Sequence, residues 1–458
     1  VFELLFMALG GGAVTILLAR KVNGVWLNGA TMFWVSWIVL IAAAVVISSV
    51  GVYPPPGESS IFYTKLAFAG AFGGSVLGIL LAGKPQATGV RVRRRTELVR
   101  FGSWVVQRSL LPLALALGIV GTIHFVQVWS AVDFDIARMF DVRKAYPDLW
   151  PWPARIGSYL SLGGLVLAVF MGLEDAEDRV RARRLVVLWV CQVPQGLAFG
   201  GRLWTLVPLI MYLFSLLLSR NGASHPIAPR RMLTLVPLFA VGFWVWTVLG
   251  IIRHDTGKYE MTDATSVNEW GQEEQYMAVS WLGSSLRSLG VHSDYVSRLE
   301  PSYGHATFDY VFRKFDGVGG VRFKVAEWDR WRLMELRNQV DVGSTWCVPP
   351  TAIPYLILDF GVEGMPIALG LLIALVHWVT IRWLGQGVLR HVIAFLAFNT
   401  AFNTIQTLVV LNSLTVGAAA WAALLEWVGR RARRLEAVDS GTSWRSATLA
   451  AREEEHKS

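Results

Sequence analysis

The sequence predicts an all-α polytopic membrane protein, a bundle of roughly eleven transmembrane helices interrupted by one large extracytoplasmic loop. Three observations predict it. Hydrophobic residues make up 54% of the 458 positions and charged residues only 16%, with a mean hydropathy of +0.46. A soluble globular domain carries about 25% charged residues. Tryptophan occurs 21 times, and indole rings favour the membrane–water boundary, where one edge is apolar and the N–H stays wet. Finally, Lys and Arg recur in alternate short loops between the apolar runs, as they do when every second loop faces the cytoplasm.

A spanning helix needs about 20 mostly apolar residues. Runs of this kind lie at 1–18, 30–50, 61–81, 103–128, 156–172, 185–199, 203–218, 232–252, 352–379, 391–402 and 408–428. The runs at 185–199 and 391–402 are short and interrupted by polar residues or proline. Arg20 and Lys21 follow the first run; Lys84, Arg91, Arg93, Arg94, Arg95 and Arg100 follow the third. Arg179, Arg181, Arg183 and Arg184 follow the fifth, Arg220, Arg230 and Arg231 the seventh, and Arg382 and Arg390 the ninth. With Arg430, Arg431, Arg433 and Arg434 in the tail, all fall on one side if each run crosses once. That side is predicted to be cytoplasmic. The net charge of +9 and pI near 9.7 are therefore a topology signal facing anionic lipid, which removes the case for nucleic-acid binding.

The predicted organisation is an N-terminal transmembrane bundle over 1–252, the large loop over 253–350, C-terminal helices over 351–430 and a cytoplasmic tail over 431–458. A loop of that size is functional or a small domain in its own right. Within it, 276–289 has helical spacing of apolar residues and 321–340 is a charged helical stretch. The segment 130–154, with Trp150, Pro151, Trp152 and Pro153, resembles an interfacial helix ending in an aromatic anchor. The first apolar run is long and lacks a basic leading segment, so no cleavable signal peptide is expected. Cys191 and Cys347 provide no disulfide framework.

Several chemistries lack their signatures. The sequence has no Walker A loop, no dinucleotide-binding glycine pattern, no H-E-x-x-H and no C-x-x-C pair. Nucleotide hydrolysis and zinc chemistry are unsupported, and neither a cofactor nor a metal is expected. Asp133, Phe134 and Asp135 form a D-x-D, which some membrane glycosyltransferases use to hold a divalent cation. The same acids suit a solvated helix terminus, and a metal would need more oxygen ligands than this pair provides.

Other residues suggest anion handling. Gly200, Gly201 and Arg202 join two apolar runs with almost no loop. Glycines let the backbone approach a ligand closely, and an Arg opening a helix adds donors where N–H groups are already unpaired. Gly201 and Arg202 thus make a phosphate or pyrophosphate cradle; the alternative is a snorkelling Arg, although this one lies on the side where Arg is disfavoured. Asp359, followed by Phe360, Gly361, Glu363 and Gly364, sits near the mouth of a long apolar run. An acid at membrane depth is a functional candidate, or else it caps a half-helix or pairs with an Arg. The large loop contributes His254, His292 and His305, any of which has the chemistry of a general base. Arg253, Arg287, Arg298, Arg313 and Arg337 are candidates for gripping anionic groups.

Three motifs together resemble the oligosaccharide repeat-unit polymerases (O-antigen or Wzy-type polymerases), relatives of the O-antigen ligases. One is the Gly-x-Arg turn ending at Arg202. Another is the P-x-x-G-x-x-T-F pattern running from Pro301 through Gly304 to Thr307 and Phe308. The last begins at Thr351 and runs through Asp359, Phe360 and Gly361 to Gly364. Gly201 stands where the family commonly has Ser, and Leu203 where a small residue is common. The resemblance implies a GT-C-like bundle in the bacterial inner membrane with its active site outside the cytoplasm. It also implies two polyprenyl-pyrophosphate-linked glycans as substrates, with a chain-length regulator and a flippase as further partners. On this basis Asp359 and His305 are expected to be catalytic. Arg202, Gly201, Arg253, Arg287, Arg298, Tyr303, Gly304, Arg337 and Thr351 are expected to bind substrate. An O-antigen ligase would use the same donor with a different acceptor. A transporter would show mid-span charges and repeated halves, neither of which is evident.

Overall fold

The computed structural model describes residues 1–50, 55–83, 88–131, 133–134, 151–177, 181–198, 202–219, 277–304, 307, 351–405 and 413–439, with scattered positions between 233 and 244. All regular structure among them is helical. In chain order the helices are α1 (Phe2–Asn23), α2 (Gly29–Ser49), α3 (Glu58–Ala82), α4 (Thr88–Ser130), α5 (Pro151–Glu177) and α6 (Ala182–Ala198). They continue with α7 (Arg202–Ser219), α8 (Met277–Val296), α9 (Ala352–Trp383), α10 (Val388–Asn403) and α11 (Ser413–Asp439). Six of these, α1 to α5 and α9, are long and apolar enough to cross a membrane, and α7 contributes a shorter apolar helix. Every apolar run predicted to span, apart from 232–252, coincides with a described helix. The described chain is thus that of a polytopic α-helical membrane protein.

One group of helices is α1, α2, α3, α8 and α9, and its packing depends on small residues. A Cβ on Gly70 would fall 2.1 Å from the Pro366 carbonyl oxygen, one on Gly74 2.0 Å from that of Gly370, and one on Gly78 2.9 Å from Ala374 Cα. The two backbones touch at successive turns, so α3 and α9 run parallel. Where lipid tails are as apolar as leucine, close van der Waals contact of this kind drives helix association. Parallel α3 and α9 agree with the alternating scheme, in which the third and ninth runs cross in the same direction. Around this seam, Phe33, Trp34, Trp37 and Phe68 form a buried aromatic cluster with ring centroids 5.2–5.9 Å apart. The indole N–H groups of Trp34 and Trp37 donate to Ser75 Oγ and Thr404 Oγ1, both at 3.2 Å.

The ends of this group are tied by polar side chains. Asn28 caps α2, its side chain accepting from Thr31 N at 3.0 Å. Asn23 Nδ2 donates to the carbonyls of Ile79 (3.1 Å) and Gly83 (2.7 Å). His377 lies between the two, 2.9 Å from Asn28 Oδ1 and 3.1 Å from Asn23 Oδ1.

The other group centres on α5, packed by α4, α6, α7 and α11. Where α5 ends and α6 begins, Glu174 and Asp175 meet Arg184 in charge-assisted bonds of 2.7 and 2.8 Å. Arg181 joins at 3.2 Å, and Tyr212 Oη donates to Asp175 at 2.7 Å. Buried acids are tolerated here because each finds donors on every side. Phe214 of α7 packs edge-on against Phe398 and Phe402 of α10, which joins the two groups. At the start of α5, Trp152 is half exposed, as an interfacial anchor would be.

Candidate functional site

Helix α9 is broken at Gly361, whose φ of 72° and ψ of 173° lie outside the helical region. Only glycine adopts that conformation readily. The segment before the break is buried at every position from Thr351 to Asp359. A break there leaves the carbonyls of Leu358 and Asp359 short of the N–H groups one helical turn on.

The loop leaving α8 supplies those donors. The helix winds down through Ser297, Arg298 and Leu299, each N–H bonded to a carbonyl of the last turn, and Pro301 prevents continuation. Ser302 N then donates to the Leu358 carbonyl at 2.8 Å, and Tyr303 N to the Asp359 carbonyl at 3.0 Å. The chain turns through Tyr303 (φ 49°) and Gly304 (φ 95°). A positive φ costs a non-glycine residue about 1–2 kcal/mol, so Tyr303 is held there by its surroundings.

The side chains complete the latch. Asp359 is fully buried. Its Oδ1 accepts from Ser302 Oγ at 2.5 Å, and its Oδ2 accepts from Thr307 N at 2.6 Å and from Thr307 Oγ1. One carboxylate thus gathers three donors from the strap at 297–307, and the strap's two N–H groups bond the carbonyls beside it. The second and third sequence motifs, joined through residues 52 and 57 positions apart, form one structural unit.

The expected site residues distribute unevenly around this unit. Tyr303 points outward at 81% exposure, and Gly304 is buried beneath it. Arg298 is exposed on the strap; Arg287 is half-buried on α8, and its carbonyl accepts from Ser60 Oγ at 3.3 Å. Thr351, expected to bind substrate, is instead fully buried and caps α9, its hydroxyl accepting from Ile353 N at 3.4 Å. The adjacent Ala352 N donates to the Thr404 carbonyl at 2.8 Å, so Thr351 anchors the start of α9. Arg202 is the first residue of α7, the position expected of an anion cradle. Gly201, Arg253, His305 and Arg337 lie outside the described residues. Asp133 lies in the turn after α4 with φ 55°, and Asp135 lies outside the described residues. Among the described residues no group of three or more metal-ligating side chains is brought together.

Three residues matter more than the sequence suggested. Ser302 and Thr307 are hydroxyls within the P-x-x-G-x-x-T pattern, and only their place beside proline and glycine hinted at a structural task. His292, with the chemistry of a surface histidine in the sequence, is buried near the end of α8. Its Nδ1 lies 2.7 Å from the Ser288 carbonyl, which only accepts, so Nδ1 carries the proton and Nε2 is the basic nitrogen. Burial holds the His292 pKa below the ordinary imidazole value, partly opposed by the bond to Ser288. Beside it, Tyr63 Oη donates to Asp294 Oδ1 at 3.2 Å, tying α3 to the end of α8.

No family model matches the sequence, and no match is found among curated proteins or solved structures.

Proposed function

We propose that this chain is a membrane glycosyltransferase that polymerises polyprenyl-pyrophosphate-linked oligosaccharide repeat units, on a GT-C-like bundle in the bacterial inner membrane. The observation carrying the proposal is the strap locked onto Asp359 at the break of α9. It joins two of the three motifs of the resemblance into one unit, and it fixes an exposed tyrosine in a strained backbone, a feature that clusters at ligand sites.

In this reading the donor glycan arrives on its pyrophosphate carrier outside the cytoplasm, and Arg202 binds the diphosphate. A hydroxyl oxygen on the non-reducing sugar of the acceptor attacks the anomeric carbon of the donor. The carbon–oxygen bond to the diphosphate breaks, and polyprenyl pyrophosphate leaves with the electron pair. The acceptor proton passes to a base on the large loop, His305 or His292. Charge building on the leaving oxygen is met by arginine, and holding two lipid-anchored substrates in register supplies much of the rate. Asp359 is a positioning residue here: fully buried and engaged by three donors, it shapes the strap. A flippase would deliver the units, and a chain-length regulator would bind alongside.

The test is polymer formation from purified lipid-linked units. Wild type should yield a ladder that survives EDTA. Arg202→Ala should lose about 10²–10³-fold, the usual cost of one preorganised charge-stabilising donor. Arg202→Lys should also lose activity, because an ammonium lacks the bidentate fork. Full activity in Arg202→Ala would remove the pyrophosphate assignment. A single transferred unit would identify a ligase instead.

A further inference from the structure

Helix α4 is the least buried of the six helices long enough to span. Its exposed side includes one continuous stripe, in which Arg108, Leu111, Leu115, Ile119, Ile123 and Val126 follow at intervals of three and four residues. From Leu111 to Val126 the stripe climbs about 22 Å at 1.5 Å per residue, most of a hydrocarbon core about 30 Å thick. These five residues are apolar, so this side of α4 faces acyl chains. Arg108 closes the stripe at the end that the basic segment before it marks as cytoplasmic.

A guanidinium on a lipid-facing stripe needs acceptors for its five N–H groups. Among the described residues no carboxylate pairs with Arg108. The acids at this end of the bundle are already engaged: Glu174 and Asp175 hold Arg184, and Glu174 also meets Arg181 and accepts from Ser103 Oγ at 3.3 Å. What Arg108 has is a seat. Its Cζ lies over the Trp104 ring, 5.3 Å from the centroid, one turn toward the cytoplasmic end. Trp104 is fixed in turn by Phe101, 5.9 Å away between centroids, and Phe101 packs edge-on against Phe170 of α5 at 6.3 Å. A guanidinium laid on an indole keeps its N–H edge free for an oxyanion. Arg100, exposed two turns nearer the cytoplasmic end, adds a second positive charge.

We propose that this face of α4 binds an anionic phospholipid of the cytoplasmic leaflet, its phosphate on Arg108 above Trp104 and an acyl chain along Leu111, Leu115 and Ile119. The charge sits at the head of an apolar stripe, so the ligand joins an anion to a long hydrocarbon tail. The direction also matches: the phosphate lies at the inner boundary of the hydrocarbon and the tail rises toward the bilayer centre. A free phosphate would use the arginine but not the stripe. A zwitterionic lipid brings its own cation, which Arg108 repels.

The experiment is native mass spectrometry of the purified full-length chain in detergent, titrated with dioleoylphosphatidylglycerol or dioleoylphosphatidylcholine. It reads the dissociation constant of the first bound lipid. Wild type should bind the glycerol lipid about five- to tenfold tighter, as expected for one or two arginines meeting an anionic headgroup. Arg108→Gln should bring that lipid to the level of the choline lipid, leave the choline lipid unchanged, and keep the thermal midpoint, since the side chain is exposed. Arg108→Lys keeps the charge without the planar fork and should retain part of the preference. Millimolar inorganic phosphate should leave the glycerol lipid bound. No preference in wild type, or an unchanged preference in Arg108→Gln, would overturn the site. Displacement by inorganic phosphate would identify a free-phosphate site and overturn the lipid.

Discussion

Replacing Asp359 distinguishes a catalytic base from a latch, because the geometry makes the Asn and Ala variants behave differently. In Asp359→Asn, the amide oxygen placed toward Thr307 still accepts from its N–H and Oγ1. The amide NH2 placed toward Ser302 donates to a hydroxyl that rotates to accept. These three donors keep a partner, but their bonds lose the charge. Hydrogen bonds to charged groups contribute about 1.5–3 kcal/mol and neutral ones about 0.5–1.5. The latch therefore weakens by about 1 kcal/mol per bond, about 3 in all, which raises strap opening about a hundredfold. In Asp359→Ala no acceptor remains, and the buried Thr307 N–H adds an unsatisfied-donor penalty of about 1–3 kcal/mol. The assay is amide hydrogen exchange at Ser302 and Tyr303, whose N–H groups bond Leu358 and Asp359, read beside polymer formation. Expected are reduced but measurable protection with substantial activity in Asn, and loss of both in Ala. Abolished chemistry in Asn with the strap still protected would make the carboxylate a reacting group and refute the latch. Wild-type protection in Ala would show that the strap is held elsewhere.

Gly74→Ala should lower the thermal midpoint in detergent, because its Cβ would meet the Gly370 backbone at 2.0 Å. Overpacking of about 1–3 kcal/mol exceeds a helix-propensity gain of up to about 1 kcal/mol. Gly73→Ala has open space and should be neutral or stabilising; equal shifts in the two would dismiss the seam. Because burial lowers the His292 pKa, the unfolded chain binds the extra proton first. The His292 contribution to stability is then fully present above about pH 6.5 and fades as the pH falls below it. A melting profile between pH 7.5 and 5 should be flatter in His292→Gln, and an identical slope would count against the burial effect. For topology, a cysteine at position 303 in a background lacking native cysteines should react in intact cells with a membrane-impermeant reagent, and one at position 95 should not. The reverse pattern would invert the proposed orientation.

The helices were legible because their signal is local. Spans such as α2 and α5 each hold an 18-residue stretch of high mean hydropathy, and in a bilayer every backbone group must be satisfied within the segment, so length and hydropathy suffice. The role of Asp359 was not legible, because an acid at the mouth of an apolar run is equally a base, a cap or an ion-pair partner until its donors are known. Those donors, Ser302 and Thr307, lie more than fifty positions away, and no local pattern announces which hydroxyl a buried carboxylate will find. Thr351 misled for a related reason: at the start of a helix, threonine has the same chemistry whether it caps the backbone or meets a ligand, and burial decides. The seam between α3 and α9 was half visible. Gly70, Gly74 and Gly78 recur every four residues, yet Gly73 in the same helix and Gly361 in α9 face open space. Spacing says that two helices can approach closely, whereas the partner and the register come only from the fold. The same limit applies to Gln192 and Gln195. In sequence they are two polar interruptions that weaken a span; in the structure both are buried where α4, α5 and α6 meet, Gln192 against Gly164 and Gln195 against Gly157 and beside His124, a placement that no local pattern announces.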